Sequence, residues 1–125
     1  MSIQSDQLKE RTMSFAITML RLVNTLPRSV ASDVIARQLA KSATSVGANY
    51  RAACGARSRH EFVAKLQIVV EEAEESVYWL DLIDRGQLIP SATVQPIRAE
   101  SNELRAVFSS SLRTARVNLR NPKIQ

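Results

Sequence analysis

The chain has 125 residues, a net charge of +5, three glycines, four prolines and one cysteine; it suits one domain over 1–125 with its own core and has too little turn chemistry for a sheet-based fold. No run approaches the roughly 20 apolar residues that cross a bilayer, and the opening MSIQSDQLKERT lacks the basic-then-apolar order of a secretory leader, so a cytoplasmic protein without a membrane partner is expected. The lone Cys54 excludes an internal disulfide.

Apolar residues recurring every three or four positions predict four helices. The first covers about 5–26, with Leu8, Phe15, Met19, Leu22, Val23 and Leu26 on its inward stripe and Pro27 as its stop. Helix two covers about 30–54, turns Ile35, Leu39, Ala43, Val46, Tyr50 and Ala53 inward, and ends at Gly55. Ser58 and Glu61 form an S-x-x-E capping box that opens helix three at about 59–85. Phe62, Leu66, Val69, Ala73, Ser76, Leu80 and Ile83 make its stripe, and Gly86 terminates it. Helix four covers about 93–117, with Pro96 in or near its first turn, where the missing amide costs little. Its inward residues are Val94, Ile97, Leu104, Phe108, Ser111, Leu112 and Ala115, and the tail from about Asn118, including Asn121-Pro122, is expected to fray. Short links between long amphipathic helices make the fold class all-α, an antiparallel up-down-up-down four-helix bundle.

The stripes leave a surplus. At about 100° per residue, Met13, Ile17 and Leu20 fall opposite Phe15 and Leu22 on helix one, and Ile68, Trp79 and Leu82 cluster off the stripe of helix three beside Glu72 and Glu75. Clustered apolar patches on two helices of a small protein point to an oligomer interface. If the patches meet each other, the contact is head-to-tail and must close into a ring, so a cyclic homo-oligomer is expected rather than a two-fold dimer. Along helix two, Gln38, Ser42, Ser45 and Asn49 edge the apolar stripe; a polar seam fixing the register between helices or subunits is favoured over a ligand-binding row.

Charge is segregated along the chain: +6 over residues 1–59, −6 over 60–84 and +5 over 85–125. Arg98, Arg105, Arg113, Arg116 and Arg120 share an outer face of helix four, and Arg37, Lys41 and Arg51 lie on the outside of helix two. Arginine suits bidentate contacts to carboxylate or phosphate. Two uses stay open: pairing with Glu71, Glu72, Glu74 and Glu75 within the bundle or across subunits, or contact with RNA or DNA phosphates. Tyr78 and Trp79, the outward aromatics, sit on the acidic helix and argue against a base-stacking platform.

Nothing in the chain calls for an enzyme, a cofactor or a metal. A di-iron bundle needs Glu-x-x-His pairs, and the single histidine is His60. Cys54 and His60 straddle the Gly55 turn without a third group to orient the imidazole. Phosphate loop, Cys-x-x-Cys and nucleophile elbow are all missing.

The segments S-A-T-S-V-G-A-N-Y-R at Ser42 to Arg51, A-R-S-R-H-E-F at Ala56 to Phe62, A-K-L-Q-I-V at Ala64 to Val69 and E-S-V-Y-W-L at Glu75 to Leu80 resemble the bacterial four-helix-bundle family that includes proteins encoded in intervening sequences of large-subunit ribosomal RNA genes. The resemblance extends loosely over helices one and four. It implies a homo-oligomer, commonly a pentamer, and similarity to accessory subunits of reverse transcriptases in diversity-generating retroelements, whose basic surface contacts nucleic acid and protein. The resulting expectation is a non-enzymatic homopentameric scaffold or accessory protein that contacts nucleic acid, or a nucleic-acid-handling protein, through its arginine faces. The alternative is a protein-protein adaptor whose arginines are consumed by its own glutamates.

Overall fold

The computed structural model describes residues 2–121. Helices α1 (Ile3–Val23), α2 (Val30–Cys54), α3 (Arg59–Arg85) and α4 (Ser91–Arg120) follow one another, with no strand among the described residues. Three of them start on a serine. Ser2, Ser29 and Ser58 sit just before α1, α2 and α3, and each hydroxyl accepts a hydrogen bond from the amide three residues on, at 3.0 Å. Glu61 departs from the expected capping box: its carboxylate accepts from the Arg57 amide at 2.9 Å, one residue before the cap, rather than from the Ser58 amide, so it ties down the entering chain while Ser58 alone satisfies an orphan donor of α3.

The bundle is antiparallel. Thr12 faces Gly47 and Asp6 lies near Tyr50, which sets the direction of α1 against α2; Arg98 reaches Asp81 and Arg116 reaches Gln67, which sets α3 against α4. Consecutive helices pack closely, α1 and α4 approach only loosely, and the diagonal pairs make no backbone contact among the described residues. Met19, Leu39, Leu66, Leu80, Ile83, Leu104 and Phe108 are fully buried at the centre.

Helix boundaries differ from the periodicity reading at both ends of the chain. Because Ser2 caps it, α1 begins at Ile3; it ends at Val23 rather than Leu26, where the Thr25 and Leu26 amides turn to carbonyls only three residues back. Leu26 still packs partly against the core from this tighter turn. At the other end α4 begins at Ser91 and continues through Asn118 to Arg120, with the Asn121 amide bonded to the Val117 carbonyl at 2.9 Å. Half-buried Val117 and Leu119 keep this last stretch in contact with the bundle, and Pro122 lies outside the described residues. Pro96 is therefore two residues further into α4 than expected, and the Ala92 carbonyl lacks the usual amide donor four residues on.

The inward stripes hold with exceptions: Val23 at the end of α1 and Phe62 in the first turn of α3 are half-buried, and the others trace to the loose seam. Ser111 and Ala115 on α4 are half-buried rather than inward, as are Leu8 on α1 and Ile97 on α4, because α1 and α4 stand apart where these residues face each other. Val70 and Ile89 join the core although they fall outside the expected stripes, and Thr12, Ser32 and Ser101 are buried polar residues.

The end of α3 depends on two neighbouring residues with different constraints. Gln87 takes the left-handed conformation at φ 55°, its amide bonds to the Asp84 carbonyl, and the Leu88 amide bonds to the Ile83 carbonyl, both at 3.0 Å. These are the paired bonds of a Schellman motif, so the conformational demand falls on Gln87 and not on the expected Gly86. Gly86 is needed for space, since a Cβ there would sit 2.8 Å from the Leu82 carbonyl oxygen. Gln87→Gly is expected to stabilise the protein by about 0.5–1 kcal/mol, and Gly86→Ala to destabilise it. Urea denaturation at fixed protein concentration checks the opposite signs.

Candidate functional site

Residues on α1 and α3 form the first candidate surface. Met13, Ile17, Leu20, Ile68 and Leu82 are 38–46% exposed, far more than the core residues beside them. Trp79 departs from the expected outward position: it packs partly against the core, its indole donates to Glu75 Oε1 at 3.2 Å, and its ring meets Tyr78 edge-on at 5.0 Å. Tyr78 is the aromatic that faces outward, at 58% exposure. Val30 and Val34 at the start of α2 are also exposed. Sequence reasoning missed them, although two valines one turn apart on the same side as Arg37 and Lys41 carry the signal. Thr12 against Gly47 marks the side of α1 that meets α2, and Ile68 lies about 100° from Gln67, the residue of α3 that meets α4. Met13, Ile17 and Leu20 stand about 80–140° around α1 from Thr12 and so point outward, and both apolar patches lie away from the α3–α4 seam.

The polar row on α2 divides. Ser42 is fully buried, its hydroxyl lies 3.0 Å from that of Ser76 on α3, and it donates to the Leu39 carbonyl at 3.3 Å. This is a true contact between helices. Ser45 and Asn49 instead turn back on their own helix, Ser45 to the Lys41 carbonyl at 2.7 Å and Asn49 to the Ser45 carbonyl at 2.8 Å, while Gln38 is half-buried. Tyr50 stacks on Phe108 at 5.2 Å; burial and the neighbouring Cys54 thiol push its hydroxyl pKa well up, so it stays neutral. His60 is exposed in the first turn of α3, just after the loop that follows Cys54.

The basic residues separate into paired and unpaired groups. Arg98 is not on an outer face: it is partly buried against α3, giving Asp81 Oδ1 two hydrogen bonds at 2.6 and 3.0 Å and Asp84 Oδ2 one at 3.0 Å. Arg11, which the charge pattern did not single out, clamps α1 to α4 through Glu100 at 2.7 Å and Glu103 at 2.8 Å. Those carboxylates hold its guanidinium pKa even higher than usual. By contrast, among the described residues no carboxylate lies within ion-pair distance of Arg105, Arg113, Arg116, Arg120, Arg37 or Arg51. Arg116 donates to the Gln67 side-chain oxygen.

The glutamates of α3 likewise find no arginine within ion-pair distance among the described residues. Glu71 accepts from Gln67 Nε2 at 3.1 Å and Glu75 from the Trp79 indole. Burial, then the nearby Glu75 carboxylate, hold the Glu72 carboxyl above the usual range, opposed by the ammonium of Lys41. No group of three or more metal-ligating side chains gathers among the described residues, and no helix there is long and apolar enough to cross a membrane.

Comparison with known proteins agrees with this geometry. The profile of a family described as 23S rRNA-intervening sequence protein matches residues 5–110. A crystal structure of a protein with unknown function from the S23 ribosomal protein family of Bacteroides thetaiotaomicron VPI-5482 is similar, with 32% identity, a TM-score of 0.80, and coverage of 89% of this chain and 99% of that one. No curated protein matches. With the family profile spanning α1 to most of α4, and a family structure superposing over nearly its whole length, the chain belongs to the 23S rRNA-intervening sequence protein family.

Proposed function

We propose that this protein is a non-enzymatic, cytoplasmic, homo-oligomeric scaffold or accessory protein, five copies to a ring, that contacts nucleic acid through its arginine-rich helix faces. The observation that carries the reading is the contrast among arginines: Arg11 and Arg98 each take two carboxylates, and Arg105, Arg113, Arg116 and Arg120 take none among the described residues. Guanidinium groups left without counter-charge on one helix face suit phosphate contacts. The exposed patches of α1 and α3 support self-association, because their position away from the α3–α4 seam lets a head-to-tail ring cover them while the arginine face of α4 stays accessible. The family name, with its link to ribosomal RNA, favours an RNA.

One observation favours a second reading, an adaptor without nucleic acid: Glu71, Glu72, Glu74 and Glu75 also lack an arginine among the described residues, and a neighbouring copy would supply one. A salt titration separates the two. Binding to duplex DNA and structured RNA should weaken steeply as salt rises, and Arg105→Glu with Arg116→Glu should abolish it without changing the sedimented mass. If no binding occurs at low salt and the same variant loosens the oligomer, the adaptor reading replaces the first.

A further inference from the structure

We propose that the trough between α3 and α4 near the C-terminal end of α4 is a phosphate-binding site, in which Arg113, Arg116 and Arg120 supply the charge. It encloses about 340 Å3, with Val70 and Leu112 as an apolar floor and Gln67 and Ser109 as further polar lining. The assignment rests on the nucleic-acid reading for its natural ligand, a phosphodiester, and adds where and how a phosphate is held.

The three arginines follow a three- and four-residue spacing, which keeps them within about 60° of one another around α4. Like charges at that spacing repel, and no described carboxylate lies close enough to relieve them. Their placement is not simply complementary to the helix dipole, since that field fades within the last turn and Arg113 lies nearly two turns before the end. The trough also orients its charge. Gln67 accepts from Arg116 through its oxygen and donates to Glu71 through its nitrogen, so the glutamate fixes the amide, and the amide fixes the guanidinium, without a carboxylate quenching it. Gln67 is a positioning residue. All three arginines are exposed, so their forked donors are free to reach phosphate oxygens above the Val70–Leu112 floor.

Topology extends the track. The antiparallel arrangement brings the C-terminal end of α2, the loop to α3 and the C-terminal end of α4 to one pole, gathering Arg51, Arg57 and Arg59 with the trough arginines. Successive phosphates of a polynucleotide then find successive cations, which favours the polymer over a free anion.

The full chain carrying 15N-labelled arginine provides the test, titrated with tripolyphosphate and separately with a 20-nucleotide structured RNA. Both ligands are expected to shift the Nε–Hε signals of Arg113, Arg116 and Arg120 and to leave those of Arg11 and Arg98 in place. R113Q/R120Q should weaken RNA binding about tenfold and lower the slope of log affinity against log salt by about two, whereas R21Q/R28Q, at exposed arginines of the α1–α2 end, leaves both the trough signals and their response unchanged. Circular dichroism and sedimentation confirm that each variant keeps fold and mass. If RNA binds but neither the trough signals nor the R113Q/R120Q affinity changes, the site is overturned and the nucleic-acid reading stands. Signals that move with tripolyphosphate alone keep the site and overturn the nucleic-acid reading; signals that move with neither ligand overturn the site.

Discussion

Phe108→Ala is expected to destabilise the protein by about 3–5 kcal/mol, the largest effect of any single truncation proposed for this chain. Phe108 is fully buried on α4, and its ring centroid lies 5.2 Å from that of Tyr50 on α2 at an interplanar angle of 50°. These two helices face each other across the diagonal of the bundle, where their backbones make no contact. Only large side chains span that distance. Removing the phenyl ring opens a cavity bounded by α2, α3 and α4, and the rigid helices on three sides cannot collapse to fill it. Tyr50 loses its ring partner at the same time, a tilted pairing worth about 0.5–1.5 kcal/mol beyond the buried area. Phe108→Leu keeps most of the volume and should cost less than half as much. Urea denaturation at fixed protein concentration should show the alanine midpoint falling with little change in slope. An alanine variant within 1 kcal/mol of the parent would mean that the diagonal contact is not a principal support.

A comparable loss, about 3 kcal/mol, is expected for Gly47→Leu by overpacking rather than cavity formation. A Cβ at position 47 would lie 2.9 Å from Thr12 Oγ1 and 3.2 Å from Thr12 Cβ. Thr12 cannot swing away freely, because its hydroxyl is held by the Leu8 and Lys9 carbonyls at 2.9 and 3.0 Å and the residue is buried. Glycine inside a helix normally costs about 1 kcal/mol relative to alanine, so its presence at the middle of α2 marks a close approach that the fold requires. For Gly47→Ala the gain in helix propensity opposes the clash, and the net effect should be small. The decisive measurement is a double-mutant cycle: Thr12→Ala should be less harmful, or even favourable, in the Gly47→Ala background, with a coupling of about 0.5–3 kcal/mol. Strict additivity would place the contact elsewhere.

Much of the architecture is legible in the chain because it rests on local chemistry. Ser58 and Glu61 specify the start of α3 by hydrogen bonds within five residues, and Ser29 does the same for α2, so both helices begin where expected; their ends match at the Gly55 and Gly86 caps. The α1 and α4 boundaries are less legible. Ser2 and Pro90 give no periodic signal, and the turn at 24–26 preserves the burial of Leu26 without being helical. The candidate sites depend more on partners. Arg98 and Arg116 look alike on α4, yet one meets Asp81 and Asp84 and the other only Gln67, because α3 presents aspartates at one level and an amide at another. Ser42 and Ser45 are likewise equivalent by pattern, and only the first faces a hydroxyl on α3.

The sequence by itself determined that there are four helices, where two of them begin and end, which stripe each turns inward and which family the chain belongs to, because helical periodicity, caps and motifs act over a few residues. Tertiary structure alone decided that Gly47 receives Thr12, that Arg11 and Arg98 are neutralised, and that arginines distant in the chain gather at one pole beside an open trough. Those outcomes depend on which helix lies against which and at what level. That is set by the summed packing of the whole core, which no local pattern contains.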